Sequence, residues 1–183
     1  MKINKLQITL LLLTTFVAAP FTRGVENQAA PNPTPAADSI TVPKPMADAA
    51  ESPAMMEPVK SVYDDYLKIQ SALAKDSLAG IPENAGAMAK AIKGDDMKML
   101  SPEIARQSEA LADAKDLKAA RKAFKPLSES LIKYLADHKV KSGSYTEAYC
   151  PMAEASWLQA GKKISNPYMG QEMLTCGEIK RSF

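Results

Sequence analysis

From Val59 onward, apolar residues recur with the period of a helix. Val62, Tyr66, Ile69 and Leu73 fall on one stripe, with Pro58 at the helix start. Ile81 to Ile92 predicts a second, alanine-rich helix. Pro82 lies in its first turn, Ala85, Met88, Ala89 and Ile92 face inward, and Gly94 ends it. Ser101-Pro102-Glu103 reads as an N-cap followed by proline at the first helical position, and it opens a third helix that carries Ile104 and Leu111. A fourth begins near Asp116 and holds the longest stripe: Leu117, Ala120, Phe124, Leu127, Leu131, Tyr134 and Leu135. Pro126 falls inside it, and because the stripe keeps its phase on both sides, a kink is expected rather than a break. Four amphipathic segments joined by short polar turns predict an all-α fold. That fold is an antiparallel four-helix bundle with an irregular C-terminal Cys/Met segment packed against it.

The pattern is different before Val59. Lys2 and Lys5 precede the apolar run Leu6 to Ala19, so residues 1–24 read as a signal peptide, with cleavage after Ala19, after Gly24 or near Ala30; an uncleaved anchor is the weaker alternative. The run is short for a membrane span, and no stable membrane insertion is expected after cleavage. Residues 25–58 are rich in Ala, Pro, Asp, Glu and Ser, with seven prolines between Pro31 and Pro58, and bury too little apolar surface to offset the entropy of ordering. They read as a disordered linker, in which Met46, Met55 and Met56 are ordinary composition. The folded domain is thereby set at residues 59–183.

Charge narrows the function. The chain has 23 Lys and Arg against 21 Asp and Glu, but Lys2, Lys5 and Arg23 lie in the signal region, which leaves 20 against 21. So neutral a chain lacks the basic footprint of a nucleic-acid partner. The carboxylates Asp64, Asp65, Asp95, Asp96 and Glu129 lie off the apolar stripes, and there is no phosphate loop, nucleophile elbow or metalloprotease helix. The sequence points away from an enzyme.

The C-terminal segment changes character at Gly143. It holds both cysteines and five of the aromatic residues, arranged as Cys150-Pro151-Met152, then the turn Asn166-Pro167-Tyr168-Met169-Gly170, then Met173-Leu174-Thr175-Cys176-Gly177. Each cysteine has a methionine two or three residues away. Thiolate and thioether sulfur select Cu(I) or Ag(I) over Mg, Ca or Mn. Zinc, which takes four N or S donors, suits two cysteines and a single histidine poorly. The candidate metal ligands are therefore Cys150, Met152, Met173 and Cys176, with Met169 and His138 as secondary candidates. In an oxidising compartment the same cysteines form a Cys150–Cys176 disulfide and the methionines fill the core. The residues alone weigh these two readings about equally.

Tyr149-Cys150-Pro151-Met152-Ala153, Trp157-Leu158, Asn166-Pro167-Tyr168, Gly170 and Met173 to Gly177 resemble the signature of a bacterial domain-of-unknown-function family. Phe124-Lys125-Pro126-Leu127-Ser128-Glu129 is similar to its helical part, so the resemblance spans roughly residues 59–183. Members occur alone behind signal peptides or fused to periplasmic adaptor subunits of copper and silver efflux pumps. The resemblance implies a metal role for Cys150, Met152, Met173 and Cys176, a periplasmic location and a heavy-metal efflux or envelope partner. At the position of Met169, relatives tend to carry an aromatic residue. The competing reading is a disulfide-stapled helical interaction module, with Trp157 and Tyr168 exposed to dock on such a partner.

Overall fold

The computed structural model of the chain describes residues 53–183. Residues 1–52, which hold the predicted signal peptide and most of the predicted linker, lie outside the described residues. Within residues 53–58, assigned above to the linker, Pro53–Met55 forms a 3-10 turn and Met55 is buried against the domain.

Four helices follow: α1 (Val59–Ala74), α2 (Ile81–Lys93), α3 (Pro102–Ala112) and α4 (Leu117–Asp137). Their ends obey local chemistry. Asp116 caps α4 by accepting from the Ala119 N–H at 2.7 Å, Pro102 opens α3, and Glu83 and Lys93 sit at the ends of α2 that suit their charges. Helix α4 runs through Pro126 and buries the predicted stripe, except that Leu117 is only half-buried. Helix α1 buries more than its predicted stripe, adding Val59, Tyr63 and Gln70, because it is covered on several sides by α2, by α4 and by strand residues.

The all-α prediction is overturned by the C-terminal segment. Thr146–Cys150 (β1), Ala155–Gln159 (β2) and Glu178–Ser182 (β3) form an antiparallel sheet in the order β2-β1-β3. The segment is therefore regular, and the fold mixes helix and sheet. Residues of β1 alternate between buried and half-buried with the period of a strand, but over only five positions. All five residues of β3 are exposed, so this edge strand carries no apolar alternation to read; Glu178, Lys180 and Arg181 give it the charged character of a protected edge.

One side chain joins the two halves. The Tyr66 hydroxyl, fully buried, accepts from the Leu158 N–H of β2 at 3.0 Å and shares a hydrogen bond with Ser128 Oγ of α4 at 2.8 Å. Its ring stacks on Phe124 with centroids 4.8 Å apart. Tyr63 ties α1 to α4, donating to the Leu131 carbonyl at 2.7 Å. Desolvation pushes the Tyr66 phenol far above its usual range, so it remains a neutral hydrogen-bonding group. A second tie holds the Asn166–Gly170 turn. Arg121 donates from Nε to the Pro167 carbonyl at 2.9 Å and from Nη2 to the Leu73 carbonyl and the Asp76 carboxylate, while Asp76 accepts from the Gln171 N–H at 2.9 Å. Gly170, at φ +58°, passes so close to Asp76 and Arg121 that a β-carbon would collide with both.

Candidate functional site

The site grows out of strand register. Tyr149 of β1 pairs with Glu178 of β3, so the end of the central strand, Cys150, lies beside the residues that lead into β3. Gly177 makes the approach close. Its φ is +141°, and a β-carbon there would stand 2.8 Å from the Trp157 ring and 2.9 Å from the Tyr149 carbonyl oxygen. Only glycine fits, and its fit carries Cys176 against Cys150. The two sulfurs lie 2.7 Å apart, with Cys150 buried and Cys176 half-buried, and no disulfide joins them in this structure.

Asn166, fully buried, organises the surrounding backbone. Its Nδ2 donates to the Cys176 carbonyl at 2.7 Å, and its Oδ1 accepts from the N–H groups of Tyr168 (2.8 Å) and Met169 (3.0 Å). Its own N–H donates to the Leu174 carbonyl at 2.8 Å. The sequence marks Asn166 only as a turn residue. The available signal was Asn before Pro-Tyr, a side chain able to bond to the backbone two and three residues on.

The two thiols are not equivalent. Burial pushes the Cys150 thiol up. Hydrogen bonds from Cys176, from the backbone N–H groups of Ala153 and Met152 and from Asn166 outweigh it, so Cys150 ionises below its ordinary value. Cys176 is pushed up, first because its thiol proton is held by Cys150 and then by desolvation. Of the reduced pair, Cys150 is thus the first to ionise, with Cys176 as its hydrogen-bond donor. In a pH titration of the reduced protein followed by cysteine 13Cβ shifts, Cys150 should lose its proton below the ordinary thiol range and Cys176 above it. The reverse order would dismiss this assignment.

The methionines are placed differently from one another. Met152 is 64% exposed in the turn between β1 and β2, and its backbone N–H is directed at both sulfurs. Met173 is half-buried at the end of the 3-10 helix Gly170–Met173, and its carbonyl accepts from the Cys176 N–H at 3.0 Å. Met169 is half-buried against the core. His138, the C-cap of α4, lines a different cleft, to which none of Cys150, Met152, Met173 and Cys176 contributes. Trp157 is fully buried, edge-on to Tyr168 at 6.0 Å, and so is not the exposed docking residue expected above.

Among the described residues, no group of three or more His, Cys, Asp or Glu side chains is placed to hold a metal ion. No helix among them is long and apolar enough to cross a membrane. Residues 62–143 are similar to a family described as protein of unknown function (DUF3347). That similarity begins within α1 and stops before β1, so the sulfur pair lies beyond it. No curated protein and no solved structure matches the chain.

Proposed function

We propose that this is an exported, periplasmic soft-metal-binding protein that buffers Cu(I) or Ag(I) or hands it over to a heavy-metal efflux or envelope partner, without catalytic turnover. The observation that carries the reading is the convergence of Cys150 and Cys176, with one thiol lowered by three further hydrogen-bond donors. A thiolate that forms readily is what a Cu(I) ligand requires, since the metal takes the deprotonated sulfur. Half-exposure of Cys176 gives an incoming ion a path, and the flexible thioether of exposed Met152 is near enough in sequence to complete a low coordination number. The resemblance of the Cys150 and Cys176 motifs to a domain fused to copper and silver efflux adaptors supports the same cargo and partner.

A second reading, a disulfide-stapled helical interaction module, is favoured by the sulfur contact itself. At 2.7 Å the sulfurs are closer than two thiolates sharing one ion, which stand roughly 4 Å apart when each metal–sulfur bond is near 2.3 Å. Metal binding would open the pair by about 1 Å or more and oxidation would close it, so the two states exclude each other. Titration with Cu(I) in competition with a chelator separates them. The reduced chain should take up copper with the ultraviolet charge-transfer band of a copper–thiolate bond, and its melting temperature should rise. The oxidised chain and the C150S/C176S variant should show no such band. If the reduced chain also lacks the band, the cysteines do not bind metal and the module reading replaces the proposal.

A further inference from the structure

At the opposite end of the chemistry, four soft donors gather in a cleft that owes nothing to the cysteines. Met56 follows the first 3-10 turn, Met97 and Met99 belong to the loop between α2 and α3, and His138 caps α4; with Tyr134 they line one cleft. Three segments far apart in sequence thus bring three methionines and a histidine to the lining of one cleft. Met97 is 74% exposed and Met56 55% exposed, so neither fills a gap in the core, the usual reason for a methionine.

Two features prepare these side chains. Asp95 holds the loop: its Oδ1 accepts from the Met97 N–H at 3.0 Å and its Oδ2 from the Met99 N–H at 2.7 Å. Lys98 between them sits at φ +51°, a left-handed conformation that a lysine adopts only where its surroundings impose it. The second feature fixes the histidine. His138 Nδ1 lies 2.9 Å from the Tyr134 carbonyl oxygen, which can only accept, so Nδ1 carries the proton and Nε2 keeps its lone pair. Stacking on the Tyr134 ring, centroids 4.0 Å apart, holds the imidazole in place. A backbone carbonyl on Nδ1 is the arrangement that orients metal-binding histidines.

We propose that Met56, Met97, Met99 and His138 form a separate binding site for a soft monovalent cation, Cu(I) or Ag(I). Thioether sulfur and neutral imidazole suit such ions and bind Mg, Ca or Mn poorly. Thioethers do not form disulfides, so this site keeps its ligands under oxidising conditions that bridge Cys150 to Cys176. It therefore operates in the state in which the cysteine pair is closed, and it stands whether or not the cysteines bind metal.

The test uses Ag(I), which avoids copper redox chemistry, on the full chain carrying C150S and C176S, with 13C-methyl-labelled methionine and 15N-labelled histidine. One Ag(I) per chain should bind, shifting the methyl signals of Met56, Met97 and Met99 and the Nε2 signal of His138 while those of Met152 and Met173 stay in place. M56L/M97L changes two largely exposed residues at nearly constant volume, and H138A removes the nitrogen donor; each should weaken Ag(I) binding tenfold or more. If the double cysteine variant folds poorly, the same methyl signals are followed in the reduced natural chain, where they should move with the first equivalent if the cysteines take no metal and with the second if they do. Unmoved signals at Met56, Met97 and Met99, or unchanged affinity in both variants, would overturn the site.

Discussion

Phe124→Ala should destabilise the domain by about 3–5 kcal/mol, the cost of a large buried truncation that leaves a cavity. The upper part of that range is expected because the neighbours cannot relax into the space. Phe124 is fully buried between Tyr66, stacked at 4.8 Å, and Tyr168, whose centroid is 5.9 Å away. Tyr66 is pinned by Leu158 and Ser128, and Tyr168 by its hydroxyl donating to the Ser156 carbonyl at 2.8 Å. For a domain of this size the loss corresponds to a fall of roughly 10–20 °C in Tm. Denaturant unfolding measures it directly, and a loss below about 1 kcal/mol would mean that the aromatic cluster does not hold the helices to the sheet.

Gly177→Ala has the second large effect, and it acts on both stability and chemistry. The new β-carbon meets the Trp157 ring and the Tyr149 carbonyl, and the backbone is held at a φ that side chains rarely adopt. Together these cost roughly 2–4 kcal/mol. Neither neighbour can yield, because Trp157 is buried and Tyr149 is in the central strand, so the chain leading into β3 must move and take Cys176 with it. A disulfide across these 26 positions stabilises the natural chain by about 3.5 kcal/mol on the chain-entropy estimate. In the Gly177→Ala variant, oxidation should leave Tm nearly unchanged, whereas the natural chain should melt higher when oxidised. Equal oxidation shifts in both would show that Gly177 does not set the sulfur approach.

The helices were legible because each buries a stripe at helical spacing and is bounded by its own signals, as with Asp116 before α4 and Gly94 after α2. Tyr63 lies four residues after Val59 and three before Tyr66, so helical spacing allowed it to be read as a flank of the same stripe; its burial is made by α4, through Leu131 and Tyr134, and by Tyr145. The sheet was hidden for another reason. Five-residue strands leave little periodicity to detect, and β3 owes its structure to pairing with β1 rather than to any pattern of its own. The meeting of Cys150 and Cys176 was readable as chemistry from the residue types. The agents that produce it were not: Asn166 and Gly177 act through backbone contacts with residues distant in sequence. The methionine and histidine cleft was likewise invisible, since Met56, Met97 and His138 are neighbours only once the helices have packed.

The hydroxyl of Tyr66 has an effect on where this domain can be divided. A chain cut after α4 would retain every helix, yet Tyr66 would lose the amide of Leu158, and Phe124 would lose the aromatic face of Tyr168. The helical portion would then present an uncovered slab of tyrosine and phenylalanine to water, the kind of surface that drives chains to associate. The sheet is therefore a lid over the aromatic face of the helices, and a truncation that keeps the strands keeps that face covered.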